Sequence, residues 1–195
     1  MEYTEVLVND LDNEIIPEIM KYGAPTLEDY NDVTSIATRL AKELNADIDA
    51  VILGAKFMHS KLGEAISQKK WGEHTNMALG FALSFFQNYP INESIKNKVL
   101  TCIKEHREKT FTCREAEICA NANCYRYLIP KKILKMFYNL KSQGYNFEEI
   151  LFIAQEKIEQ KWNSLTLDIC KKELESNYYK IKEFLELCKR ENNLE

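Results

Sequence analysis

Apolar residues return every three or four positions along most of this chain and almost nowhere alternate. That period belongs to helices packed on a core, not to strands. Thr26-Leu27-Glu28-Asp29 has the form of a helix start, an N-cap residue followed by acids. Leu27, Tyr30, Val33, Ala37, Leu40, Ala41 and Leu44 then mark one face of a helix running to Leu44. Asn45-Ala46-Asp47 breaks the pattern, and Asp47 caps a helix to about His59. Residues 61–72 are polar, contain two glycines, and read as a loop or a short helix between loops. Further helices are expected over 73–88, from Asn92 to about Arg107, and from a Thr112/Glu115 capping box to Leu128. Three more run from Pro130 to Gly144, from Asn146 to about Lys161, and from Ser164 to Lys189. Leu174, Tyr178, Ile181, Leu185 and Cys188 share a face of the last one. The first dozen residues and the last four are expected to fray. The pattern predicts an all-α fold, a single-domain helical bundle over residues 1–195.

Four stripes carry polar side chains where apolar ones are the rule. Ile48, Ile52, Ala55 and His59 form one, and His74, Ala78, Phe81 and Phe85 another. Ile95, Val99, Cys102 and His106 form a third, and Ala116, Ala120, Asn123 and Tyr127 a fourth. A buried polar group costs free energy unless something satisfies it. A single such histidine reads as a hydrogen-bonded core residue. Several on different helices either satisfy one another or meet around a metal or ligand. The imidazoles suit a divalent transition metal such as Mn, Fe, Ni or Zn better than Ca. Asp32, which begins the stripe Asp32, Ile36, Leu40 on an earlier helix, is the best-placed carboxylate to join them; it reads equally as an exposed acid near a helix N-terminus. Glu73 and Glu105 precede His74 and His106 and are expected to face solvent. Ser60 adjoins His59, but neighbours on a helix point about 100° apart, so the pair is not aimed as a nucleophile and base.

Composition narrows the classes. Hydrophobic residues make up 45% and charged ones 29%, which is globular, and 6 Gly with 4 Pro leave little for turn-rich β structure. A net charge of −4 carries no strong basic footprint for nucleic acid. Lys61, Lys69 and Lys70 come nearest and read as a solvated loop. The acidic start Met1-Glu2-Tyr3-Thr4-Glu5 lacks the regions of a signal peptide. The apolar run from Met77 to Phe86 is interrupted by Ser84 and too short to span a membrane, so a cytoplasmic location is expected. Six cysteines include no CxxC pair, and reduced thiols are expected. Neither GxxxxGK[ST], GxGxxG nor HExxH occurs.

The order of the polar positions resembles the HD superfamily of metal-dependent phosphohydrolases. Asp32-Val33-Thr34-Ser35-Ile36 stands in the segment of that family's first His. The run from Ile52 to His59-Ser60 resembles the approach to its His-Asp pair. His74-Thr75-Asn76-Met77-Ala78 and Ile103-Lys104-Glu105-His106 resemble its two further His segments. The stretch from Glu115 to Asn123 resembles its Glu-Ala…Ala-Asp-Ala-Asp segment, with both aspartates as asparagine. The likeness covers about residues 26–190. It implies a helical HD-type bundle and a metal site of Asp32, His59, His74, His106 and Asn123. It also implies a phosphorylated small molecule as ligand. The departures lie at the charges: Asp32 stands for the first His, Ser60 for the paired Asp and Asn123 for the final Asp. Neutral Ser and Asn are weak ligands and no bases. The leading expectation is a divergent member with a degenerate site, weakly active or non-catalytic, its metal held weakly or absent. An active phosphohydrolase on a nucleotide or phosphomonoester, using Asp32 and the three histidines, is the first alternative. A non-catalytic interaction protein is the second.

Overall fold

The computed structural model describes residues 2–89 and 91–191, with side chains from Glu5. Its helices are α1 (Glu2–Tyr22), α2 (Leu27–Glu43), α3 (Ile48–Phe57), α4 (Leu62–Ser67) and α5 (His74–Asn88). They continue with α6 (Glu93–Glu105), α7 (Arg114–Cys124), α8 (Pro130–Ser142), α9 (Phe147–Trp162) and α10 (Asp168–Glu191). Short 3₁₀ turns cover Trp71–Glu73 and Tyr125–Tyr127, and no strand occurs among the described residues. The chain forms two compact units, one up to Asn123 and one from Cys124.

In the first unit α3 lies at the centre, packed on α2 and α6. Its sequence explains this. Ala50, Val51, Leu53, Gly54, Ala55 and Phe57 are all buried, and a helix apolar on most of its circumference must be enclosed. Gly54 lets α6 come close, since a Cβ there would lie 2.5 Å from Cβ of Cys102. The Phe57 ring meets Phe81, Phe85 and Phe86 edge-on at 5.6, 5.6 and 5.4 Å.

The expected fraying of the first dozen residues is not what the structure shows from Glu2 on, Met1 lying outside the described residues. Leu7, Leu11, Ile15 and Ile19 stand four apart on α1 and all are buried. The intervening Asp10, Asp12 and Glu14 make the segment look like a solvated tail, yet Asp12 anchors it. Lys56 Nζ lies 2.7 and 2.9 Å from the two Asp12 carboxylate oxygens, and the Tyr30 hydroxyl donates to Oδ1 at 2.6 Å. Burial, then Asp12, pushes the Tyr30 hydroxyl well above its ordinary pKa. One buried cation thereby ties α1, α2 and α3 together. The last four residues, also expected to fray, lie outside the described residues.

Four predicted helix starts carry a cap: Thr26 accepts from Asp29 N, Asp47 from Ala50 N, Asn92 from Ser94 N and Asn146 from Glu149 N. The Thr112/Glu115 box does not form. Thr112 instead donates to Glu105 through its backbone N (2.9 Å) and hydroxyl (2.8 Å), which draws Glu105 inward rather than toward solvent. Glu115 is turned to α3, where it accepts from Asp47 N at 3.1 Å and pairs with Lys98 at 3.0 Å. Helix α7 ends at Cys124, short of Leu128, and α10 begins at Asp168 because Ser164 closes α9 by donating to Gln160 O.

The second unit packs α9 against α8 and α10. Ile150, Leu151, Ala154 and Ile158 meet the buried face Leu174, Tyr178, Ile181 and Leu185 of α10. Trp162 stacks on Tyr178 with ring centroids 4.4 Å apart. None of the six cysteines is in a disulfide. A hydrogen bond to Cys119, together with burial, holds the Cys102 thiol protonated well above its ordinary range. Among the described residues no helix is long and apolar enough to cross a membrane.

Two predictions follow from these contacts. Leu11→Ala should lower unfolding free energy by about 2–5 kcal/mol, the cost of a truncated core leucine, where a frayed segment would show almost no effect in denaturant melts. Burial acts to raise the Glu115 carboxyl, but backbone hydrogen bonds and Lys98 outweigh it and hold its pKa below the ordinary 4.5. A lowered folded pKa gives stability that is present above 4.5 and lost as pH falls through the folded value. Glu115→Gln should therefore cost about 1–3 kcal/mol at neutral pH, with the deficit shrinking in melts run in acid.

Candidate metal centre

The three histidines sit at helix ends rather than inside helices. His59 lies in the turn after α3, His106 is the C-cap of α6, and His74 is the first residue of α5. Because α3 and α6 pack side by side and α5 packs on α6, those ends meet. The ring centroids of His59 and His106 are 4.9 Å apart, of His74 and His106 5.3 Å, and of His59 and His74 5.9 Å. One nitrogen from each ring lies within 4.8 Å of the others. All three side chains are buried.

Hydrogen bonds fix two of the tautomers. His74 Nδ1 is 2.9 Å from Trp71 O, and His106 Nδ1 is 2.7 Å from Ile103 O. A carbonyl oxygen only accepts, so both Nδ1 atoms carry hydrogen and donate. In the neutral rings each Nε2 is then a lone pair, and these two Nε2 atoms face each other at 3.2 Å. Two lone pairs at that distance repel unless a cation lies between them. Backbone donation from the far ring nitrogen is also the usual way a metal-binding imidazole is oriented.

Asn123, the fourth inward polar residue, reaches His59: Nε2 donates to its Oδ1 at 3.0 Å. Ser60 is buried, and its hydroxyl oxygen has no hydrogen-bond partner among the described residues. Asp32 does not join the group of mutually close ligand atoms. Helix α2 turns Tyr30, Val33, Ala37 and Leu40 inward, which leaves Asp32 half-buried to one side of that face. Glu73 is exposed and accepts from Asn76.

The electrostatics are mixed. Burial lowers the His74 pKa; the bond to the Trp71 carbonyl acts in the opposite sense, and the Arg107 charge adds to the lowering. The C-termini of α3 and α6 bring partial negative charge to the cluster, whereas the N-terminus of α5 brings positive. Sequence reasoning passed over Trp71 and Arg107. The Arg107 guanidinium lies 4.4 Å over the Trp71 ring, and that ring is 6.2 Å from His74. The one available signal was position: Trp71 precedes His74 by three residues, and Arg107 follows His106.

These donors fit a single transition-metal ion. Two imidazole nitrogens on one tetrahedral zinc, at about 2.0–2.1 Å each, stand about 3.3 Å apart, close to the spacing of His74 and His106. The orphaned Ser60 hydroxyl is a further polar atom suited to a ligand or a water. The cluster has no carboxylate to bridge two metals, so a two-metal hydrolytic site does not fit.

No family model and no curated relative matches the sequence. Solved structures do. A predicted HD superfamily hydrolase from an uncultured Thermotogales bacterium superposes with a TM-score of 0.68 at 16% identity, over 94% of this chain and 91% of that one. Bacillus subtilis YpgQ, in complex with ADP, gives a TM-score of 0.68 at 11% identity over 97% and 95%. The selenomethionine form of YpgQ gives 0.61 at 10% identity over 97% and 94%. The chain has the all-α fold of HD-domain proteins.

The orphaned hydroxyl makes a test. In metal-free protein Ser60→Ala should leave stability within about 1 kcal/mol of wild type or raise it, because a buried hydroxyl without a partner contributes only its desolvation cost. A loss well beyond that in urea melts would mean that Ser60 has a structural partner.

Proposed function

We propose that this protein is a divergent HD-domain protein with a degenerate site, binding one divalent transition metal weakly together with a phosphorylated small molecule, with weak or no hydrolytic activity. The observation that carries the reading is the pair of facing Nε2 atoms of His74 and His106, with the His59 ring beside them. A shared proton relieves two lone pairs; three convergent nitrogens suit a metal ion. His59, His74 and His106 would hold it, with Asn123 orienting His59, and Asp32 is left outside the set. A bound metal of this kind supplies a Lewis acid that polarises a phosphoryl oxygen and lowers the pKa of water.

The chain's own residues argue for weak binding and slow chemistry. Ser60 and Asn123 bring no charge to offset a divalent ion. No carboxylate within the cluster stands ready to take a proton from water. A phosphorylated ligand is supported by the HD-type fold and by the ADP complex of YpgQ. A nucleotide is the first class to try.

Elemental analysis of protein prepared without a metal-binding tag, followed by calorimetric titration with Zn²⁺, Mn²⁺ and Ni²⁺, tests the reading. One weakly held equivalent is expected in wild type, and none after His74→Ala with His106→Ala. Ser60→Asp with Asn123→Asp should tighten binding by about tenfold or more, since each added carboxylate offsets part of the ion's charge. Tight binding by wild type with robust turnover of a generic phosphomonoester would overturn it in favour of an active phosphohydrolase. No binding of any of the three ions would overturn the metal site itself.

A further inference from the structure

Two residues beside the buried histidines reach solvent. Trp71 is 49% exposed and Arg107 is exposed, and both stand beside His74. Arg107 stacks on the indole, its guanidinium 4.4 Å from the ring centroid. Among the described residues it makes no ion pair, so its charge is not neutralised by any carboxylate. Stacking uses the flat face of a guanidinium and leaves its N–H donors pointing outward in the plane. Two more exposed cations, Lys69 and Lys70, immediately precede Trp71. Lys61, grouped with them in sequence, is instead committed to Glu18 and Glu64.

We propose that Arg107, positioned on the face of Trp71, is the anion-binding residue on the solvent side of the histidine cluster and takes the phosphoryl group of the ligand. Its fork of donors matches two phosphate oxygens at once, which a lysine does not. Trp71 is a positioning residue: it costs Arg107 its freedom to swing away into solvent. The inference rests on the phosphorylated-ligand reading above and not on the metal.

Titrations with inorganic phosphate and with ADP, each with and without Zn²⁺, test it on the full chain. Arg107→Ala should weaken both probes by about 10- to 100-fold, the loss of a charge-assisted contact. Zinc affinity without phosphate should not fall, because Arg107 is a neighbouring cation and not a ligand. Arg107→Lys should recover only part of the loss. Trp71→Ala should weaken phosphate several-fold, whereas Trp71→Phe, which keeps an aromatic face, should recover most of it. In a Trp162→Phe background, phosphate should change the emission of Trp71 saturably, and Arg107→Ala should abolish that change. Arg107→Ala binding phosphate like wild type, or wild type binding neither probe, overturns the proposal. Arg107-dependent phosphate binding without zinc binding would sink the metal reading and leave this one standing. Zinc binding with phosphate affinity indifferent to Arg107 would do the reverse.

Discussion

At Gly54 the backbones of α3 and α6 come so close that a Cβ would lie 2.5 Å from Cβ and 2.9 Å from Sγ of Cys102. Neither neighbour can give way, because both Cys102 atoms are enclosed in the core and Cys119 closes the other side at 3.4 Å. The absence of a side chain at this position therefore sets the separation of two helices. Both helices run out a few residues later, α3 at Phe57 and α6 at Glu105. The first residues to leave each helix then fall together, and among them are His59 and His106. The site is a consequence of how closely the core packs one turn away from it.

What the backbone contributes next is chemical. An imidazole in a turn at a helix end has a carbonyl within reach three residues back, and His74 and His106 both use it. Those carbonyls belong to a 3₁₀ turn and to the last turn of α6; Trp71 O takes the His74 backbone N–H as well as the ring. Satisfying a carbonyl with Nδ1 forces Nε2 to be the basic atom. The same bond that caps a helix thus selects the tautomer and aims the lone pair. Helix termination and orientation of the imidazole are here one interaction.

The sequence pattern made much of the bundle legible, and the reasons for the misses are physical. Caps at Thr26, Asp47, Asn92 and Asn146 mark helix starts because a short polar side chain followed by acids has few other uses. Helix α1 escaped because its apolar residues recur at an even spacing of four, among acids, and look like a solvated tail until Lys56 is known to lie opposite Asp12. The stripe of Ile48 and Ile52 was legible but proved half-buried, because with Asp49 it lies on the less enclosed side of α3. Periodicity placed the histidines on inward faces and close to the expected helix ends; what it left open was that His59 and His106 already lie in the turn, because a C-cap residue in helical conformation continues the period for another step. The stripe through Asp32 and Ile36 competed with the one through Tyr30, Val33 and Ala37, and both include Leu40. Only packing decides between faces so nearly adjacent.

On the proposed reading, charge is what would separate this site from a hydrolytic one with the same fold. A cluster of three imidazoles with one amide has polar atoms enough to bind but no carboxylate among its close ligand atoms. The acids that precede His74 and His106 in sequence, and Glu115, have other partners: Glu105 holds Thr112, Glu115 holds Lys98 and the Asp47 backbone, and Glu73 holds Asn76. Arg107, meanwhile, adds positive charge beside His74. Any divalent ion that enters raises the local charge further, and the way to lower it is to admit an anion. In such a site metal and phosphate stabilise each other, so each binds better in the presence of the other. On the proposed reading, Ser60 and Asn123 in place of carboxylates would shift the balance from activating water toward holding an anionic ligand.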